Sequence, residues 1–296
     1  MVVPLTSLRR LVTAGFGSLV LFATACSASD PAPAAGGDPN ARSIISLSPT
    51  TTEMLYAIGA GDLVVAVDDQ SDYPAGVPVT DLSGYTPNVE AVLGYDADLV
   101  VTNADTGDLV AGLRKAGVET MILPAARTLD DTYSQIEQLG AATGHVGDAA
   151  ELVARMRTEI GDIVASVPHR DTPLRYYHEL DNTYYTVTDD TFLGSIYSMF
   201  GLSSIATGGN GYPQLSAEYI LEQNPDLIFV ADRQCCGVTA ETIAQRAGWN
   251  EQSAVRDDRV YLLDEDIASR WGPRVVDLVR EIARTVTETP AVRPTR

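Results

Sequence analysis

Cationic side chains are scarce in this sequence, and lysine is almost missing: 20 Lys and Arg stand against 40 Asp and Glu, a net charge of −20, and Lys115 is the one lysine. Such a surface repels nucleic acid and anionic lipid, which excludes nucleic acid as a partner and favours solubility. Histidine is nearly as rare. His145, His169 and His178 leave little material for acid–base or metal chemistry. The chain carries no G-x-S-x-G elbow, no H-E-x-x-H pair and no phosphate loop, since the glycines around 208–211 lack a following Lys-Ser/Thr. An exported enzyme is therefore the competing class rather than the leading one, and neither a resident cofactor nor a metal is expected.

Long apolar runs are also missing, with one exception near the start. Arg9 and Arg10 precede an uncharged stretch over 11–25, too short for a comfortable membrane span but of the length and flanks of a secretory signal, here assigned to 1–25. Without it the balance is 18 − 40 = −22. Ala23-Thr24-Ala25-Cys26 is similar to a bacterial lipobox, which makes Cys26 the expected lipidation site; the alternative is that it is simply the first Cys of the mature chain. Residues 26–40 are small and Pro-rich, a tether that lets a globular body ride above a membrane. Cys235 and Cys236, the other two cysteines, are adjacent. A disulfide between neighbours is rare because ordinary geometry holds the two Cα atoms farther apart, so a vicinal disulfide and two separate thiols are both open.

What is present is a repeat around a helix. Residues 89–102 read VEAVLGYDADLVVT and residues 217–230 read AEYILEQNPDLIFV, aligned without a gap at an offset of 218 − 90 = 128. Glu90 matches Glu218, Leu93 matches Leu221, Asp98 matches Asp226 and Leu99 matches Leu227. Each copy predicts a short helix leading into a buried strand. Between the copies, Leu152, Met156, Ile160, Ile163, Val164 and Val167 recur at spacings of three and four, predicting one amphipathic helix over 147–168 that ends at Pro168. Strands at 42–47, 63–67, 99–102 and 118–123, then at 174–179, 184–187, 227–230 and 259–263, alternate with helices. That pattern implies an α/β fold with mainly parallel sheets flanked by helices. The expected organisation is an N-terminal lobe over 41–146, the linking helix, a C-terminal lobe over 169–288 and a disordered tail over 289–296. Ligands of parallel sheets collect beyond the strand carboxyl ends, which here are the loops 48–50, 68–73, 103–105, 178–185, 232–236 and 264–271.

Taken together, RSIISLSPTTTEMLYAIGAGDLVVAVDDQSDYP, NVEAVLGYDADLVVT, YPQLSAEYILEQNPDLIFV and SRWGPRVVDLV resemble the periplasmic-binding-protein family that serves ABC importers of cobalamin, ferric siderophores and haem. The resemblance covers about 42–286 and lies nearest the cobalamin binders, departing from them at Gln70, where those often carry an aromatic, and at Tyr212, where they often carry Trp. It implies two α/β lobes on a rigid helix, with a metal chelate held between them: a corrinoid, a ferric siderophore or, as an alternative, haem. It also implies an ABC permease and its ATPase as partners, docking through Glu90 and Glu218, and a monomeric receptor exported and lipid-anchored to the outer face of the cytoplasmic membrane. An anchored sensor would share this fold. Candidate ligand contacts are Asp68 and the aromatics Tyr73, Tyr85, Tyr184, Tyr185, Tyr212 and Trp271, whose flat faces suit a macrocycle or chelate. Arg233 and Arg270 suit carboxylates or phosphate. His178 is either an axial ligand or a hydrogen-bonding residue of the fold.

Overall fold

The structure, a computed structural model, describes residues 42–208 and 211–290. The signal, the tether with Cys26, and residues 291–296 of the expected tail lie outside the described residues.

In chain order the first half runs β1 (Ile44–Leu47), α1 (Pro49–Ala57), β2 (Val64–Val67), α2 (Val89–Leu93), β3 (Leu99–Thr102), α3 (Leu109–Ala116), β4 (Glu119–Ile122) and α4 (Leu129–Thr143). The long helix α5 (Val146–Ser166) follows. The second half runs β5 (Leu174–Glu179), α6 (Phe192–Ser198), β6 (Leu202–Ser204), α7 (Ala217–Gln223), β7 (Leu227–Val230), α8 (Arg233–Cys236), α9 (Ala240–Ala244), α10 (Ser253–Arg256), β8 (Val260–Leu262), α11 (Glu265–Ser269) and α12 (Val275–Glu288). Each half forms one parallel four-stranded sheet, ordered β2-β1-β3-β4 and β6-β5-β7-β8. The two orders are the same permutation, which is what duplication of a half-molecule requires.

The repeated aspartates show why the copies kept their residues. Asp98 Oδ2 accepts the Ser43 backbone N–H at 2.8 Å, and Asp226 Oδ2 accepts the Arg175 backbone N–H at 2.8 Å. In both sheets the aspartate before the third strand thus fastens the first strand at its start. Those bonds hold the Asp98 carboxyl below the usual carboxylate range.

Side-chain alternation along the strands builds three cores. Ile44, Leu99 and Val101 on one sheet, and Leu174, Tyr176, Leu227 and Phe229 on the other, turn inward into one shared cluster with α1, α4, α5, α6 and α12. Their neighbours Ile45, Leu47 and Val100 pack outward against α2 and α3, while Tyr177, Ile228 and Val230 pack outward against α7, α9 and α10. The result is five layers, with a helical middle layer common to both sheets. Helices α4 and α5 meet closely because Gly140 has no side chain: a Cβ there would lie 2.5 Å from Ala149 Cβ. A capping box at Thr128 and Asp131 starts α4.

One expectation needs correction. The strand expected over 184–187 is a turn-bounded segment with one bridge, Tyr185 to Gln214, because Asp181 accepts from Thr183 and Tyr184 sits at φ +70°. The strand that occupies that sheet edge is β6, whose three residues Leu-Ser-Ser give no periodic signal. Ser48, which precedes α1, makes no side-chain cap bond, and Glu53 turns instead to Arg270 and Arg274.

Candidate functional site

The loops beyond the strand ends of the two sheets meet at one arginine. Arg270, the residue that ends α11, donates from Nη1 to Glu53 Oε1 of α1 at 2.9 Å and to Asp72 Oδ1 at 3.4 Å. Its Nη2 donates to Asp266 Oδ1 at 2.6 Å and to the Gln70 carbonyl at 3.3 Å. Arg274 binds the same Glu53 through Nε at 2.9 Å and Nη2 at 2.5 Å, which raises the arginine's already high pKa. Trp271 between them donates from its indole to Gln135 Oε1 of α4 at 2.9 Å, and its carbonyl accepts from Thr132 at 3.0 Å. The strap 264–274 of the second half is therefore pinned to α1 and α4 of the first. Arg270 and Trp271, expected at the ligand, have their polar groups engaged in that pin.

Four tyrosines remain open at these strand ends. Tyr73, Tyr85, Tyr185 and Tyr212 are 46%, 79%, 42% and 52% exposed, whereas Tyr176, Tyr177, Tyr197, Phe229 and Trp249 are fully buried. Tyr185 and Tyr212 sit on paired segments, since Thr186 and Thr188 donate backbone N–H groups to Pro213 and Gly211. Tyr73 lies with the Arg274 guanidinium 4.3 Å from its ring centre, beside a groove of about 480 Å³ that also touches α5 and α12. Tyr85 follows Gly84, where a Cβ would meet the Leu47 carbonyl oxygen at 2.6 Å, so the loop can press on the end of β1 only with glycine there.

The other expected contacts are placed differently. Asp68 is buried beneath this loop, where it accepts from Ser71; Ser71 in turn meets Thr52 at 2.9 Å, and burial raises the Asp68 pKa. It supports the loop rather than facing a ligand. His178 is fully enclosed, its Nδ1 2.8 Å from the Tyr197 hydroxyl, and burial pushes its pKa down to about 3. A strand residue faces the sheet's layers, so this imidazole belongs to the shared core and not to the mouth. Tyr184 stacks on Trp249 with ring centres 6.1 Å apart, and the Arg246 guanidinium lies 5.6 Å from its ring. Arg233 is exposed and lines a separate groove of about 610 Å³ with Asp264, Asp277 and Glu281. Cys235 and Cys236 are joined as a disulfide on α8, Cα atoms 3.8 Å apart, and the Cys235 N–H donates to Glu265 at the start of α11.

Beneath the second half's strand ends lies a buried charge cluster that sequence reasoning missed. Arg246 holds Glu179 through two bonds, 2.5 and 2.6 Å, and Tyr177 donates to the same carboxylate. Asp232 is enclosed nearby with neither oxygen bonded among the described residues, and burial together with the charge of Glu179 raises its pKa to about 6. Among the described residues, no three His, Cys, Asp or Glu converge as a metal site. Glu90 and Glu218 are exposed in the first turns of α2 and α7, on the outer layers, and form no ion pair among the described residues. Glu53 and Arg274 were missed as site residues; the signal was the pair of arginines four apart in SRWGPR, opposite one acid in a helix of apolar and hydroxyl residues.

Residues 44–267 match the family described as periplasmic binding protein. An uncharacterized ABC transporter substrate-binding lipoprotein of Bacillus subtilis, YvrC, is 32% identical over 254 residues, covering 83% of this chain and 80% of the relative. A cobalamin-binding protein of Halobacterium salinarum is 31% identical, covering 83% and 69%. The crystal structure of the periplasmic vitamin B12 binding protein BtuF of Vibrio cholerae superposes with a TM-score of 0.69 at 29% identity, covering 83% of this chain and 96% of that one.

Proposed function

Because the chain belongs to the periplasmic binding protein family, we propose that it is the exported, lipid-anchored receptor of an ABC importer, capturing a metal chelate such as a corrinoid or ferric siderophore. The observation that carries this reading is the set of open tyrosines at the strand ends of both sheets, where flat apolar faces await a bulky partner. The relatives' names support it, one being a substrate-binding lipoprotein and another a cobalamin-binding protein. The lipid would be carried by Cys26. Binding, not turnover, is the task of such a cleft, and delivery is to a permease with its ATPase.

Docking falls to Glu90 and Glu218. They occupy equivalent positions of the two repeats on the outer helices, so a quasi-two-fold receptor offers one carboxylate per half to a two-fold permease. Tyrosine and tryptophan fluorescence titration of the purified protein with a corrinoid, ferric siderophores and haem tests capture. If none quenches the signal, the receptor reading fails; if a chelate is consumed, an enzyme replaces it. The variant Glu90→Arg with Glu218→Arg is expected to keep affinity within about twofold and to abolish uptake. A large loss of affinity would contradict the docking role.

A further inference from the structure

Arg270 and Arg274 stand at the base of the loop that carries Gln70, Asp72 and Tyr73, where a ligand with ionised groups would look for them. Neither guanidinium is free. Their side chains are 10% and 17% exposed, and both converge on Glu53, whose own side chain is 2% exposed. Three carboxylates, of Glu53, Asp72 and Asp266, surround the two arginines, so the cluster is net negative. An anionic ligand reaching this loop meets Asp69 and Asp72 at its surface, and recruits a cation only by breaking a buried, bidentate pair.

We propose that Glu53 determines the charge of the cargo: by holding Arg270 and Arg274 it makes the cleft select chelates that are electroneutral or cationic at their periphery and reject those bearing ionised carboxylates or catecholates. This rests on the receptor reading above. Glu53 touches no ligand and acts through the two arginines, as a positioning residue. The same pairs pin strap 264–274 to α1, so Glu53 also has a structural role, and the two roles separate by measurement. Loss of a pin weakens every ligand alike, whereas release of guanidiniums changes the ratio between ligands of different charge.

The full chain and the variants Glu53→Gln, Glu53→Asp and Asp72→Asn are titrated by fluorescence with a neutral corrinoid, with ferric haem bearing two propionates, and with a ferric tris-catecholate. The unaltered protein is expected to prefer the corrinoid. Glu53→Gln shifts the ratio of dissociation constants toward the anions by about tenfold, an effect that shrinks in 0.5 M salt, while Glu53→Asp keeps the original preference. Asp72→Asn, at an exposed site and safe for folding, shifts the ratio the same way by about threefold and decides the matter if Glu53→Gln does not fold. An equal loss for all ligands in Glu53→Gln, or an unchanged ratio in Asp72→Asn, overturns the proposal. So does an unaltered protein that prefers an anionic chelate, which leaves the receptor reading standing. Binding of none of the three removes the receptor reading itself.

Discussion

Replacing Arg246 by glutamine tests the energetics of the second half. Glu179 is fully enclosed at the end of β5, and its carboxylate is satisfied by the two Arg246 bonds. Asp232, equally enclosed just beyond β7 at the start of α8, adds a second acid with no hydrogen-bond partner among the described residues. Without the guanidinium, Glu179 must either remain charged in an apolar wall or take up a proton. Breaking such a pair from one side costs about 3–5 kcal/mol, whereas a surface pair costs less than about 1. The guanidinium also lies 4.9 Å from the Trp249 ring centre and 5.6 Å from that of Tyr184, contacts worth roughly 0.5–1 kcal/mol each. With an unfolding entropy of about 2.1 cal/mol/K per residue over roughly 250 ordered residues, 3–5 kcal/mol lowers the midpoint by about 6–10 °C. Thermal scans by circular dichroism measure this, with Glu179→Gln plus Arg246→Gln as the companion, expected to recover a good part of the loss because the Glu179 carboxylate is no longer stranded. A fall of less than about 2 °C in the single variant, or a double variant no better than it, would refute the reasoning.

Asp232 makes a second expectation, read from pH. Its raised pKa means the folded chain keeps a proton that the unfolded chain has lost, so its contribution is present below about pH 4 and disappears as pH rises through about 6. Asp232→Asn should therefore gain on the unaltered protein by about 1–3 kcal/mol between pH 4 and pH 7, and parallel urea-midpoint curves over that range would sink the assignment. His178 works in the other direction: its lowered pKa gives a contribution present above about pH 6.5 and lost as pH falls toward 3, so the variant's acid limb is steeper than that of the unaltered protein. Tyr85→Ala and Tyr212→Ala should each weaken cargo binding by about tenfold with little change in melting temperature, and undiminished affinity in both would detach the open tyrosines from the site.

How much of this was legible in the sequence follows from what each signal depends on. The repeat and the helix between its copies were readable because periodicity and identity are local: the long helix was expected over 147–168 and runs Val146–Ser166, and Asp98 and Asp226 hold the same bond in both sheets. Of the open tyrosines, Tyr73 and Tyr185 fall in loops that parallel-sheet topology places at strand ends, while Tyr85 and Tyr212 lie outside those loops. What escaped were residues whose partners lie far along the chain. Glu53 lies among the apolar and hydroxyl residues of α1 with no local signal of its role, and its partners are 217 and 221 residues away. Trp271 read as a stacking face, but its indole N–H found Gln135, and a buried donor goes where an acceptor is. His178, the last residue but one of β5, and Asp68, the first after β2, lie near strand ends as expected, yet the packing of distant helices and loops turns both side chains inward.

The middle helical layer, which feeds one continuous core under both sheets, has a consequence for how an occupied receptor would be told from an empty one. Two halves that share one close-packed core resist a change of angle between them, which makes that angle a poor signal of cargo. Under the proposed docking through Glu90 and Glu218, a transporter would meet the same spacing of carboxylates in either condition. The message must then be carried by the cargo's own protruding surface and by the few loops that touch it, so discrimination at the membrane becomes a matter of what stands between the two handholds.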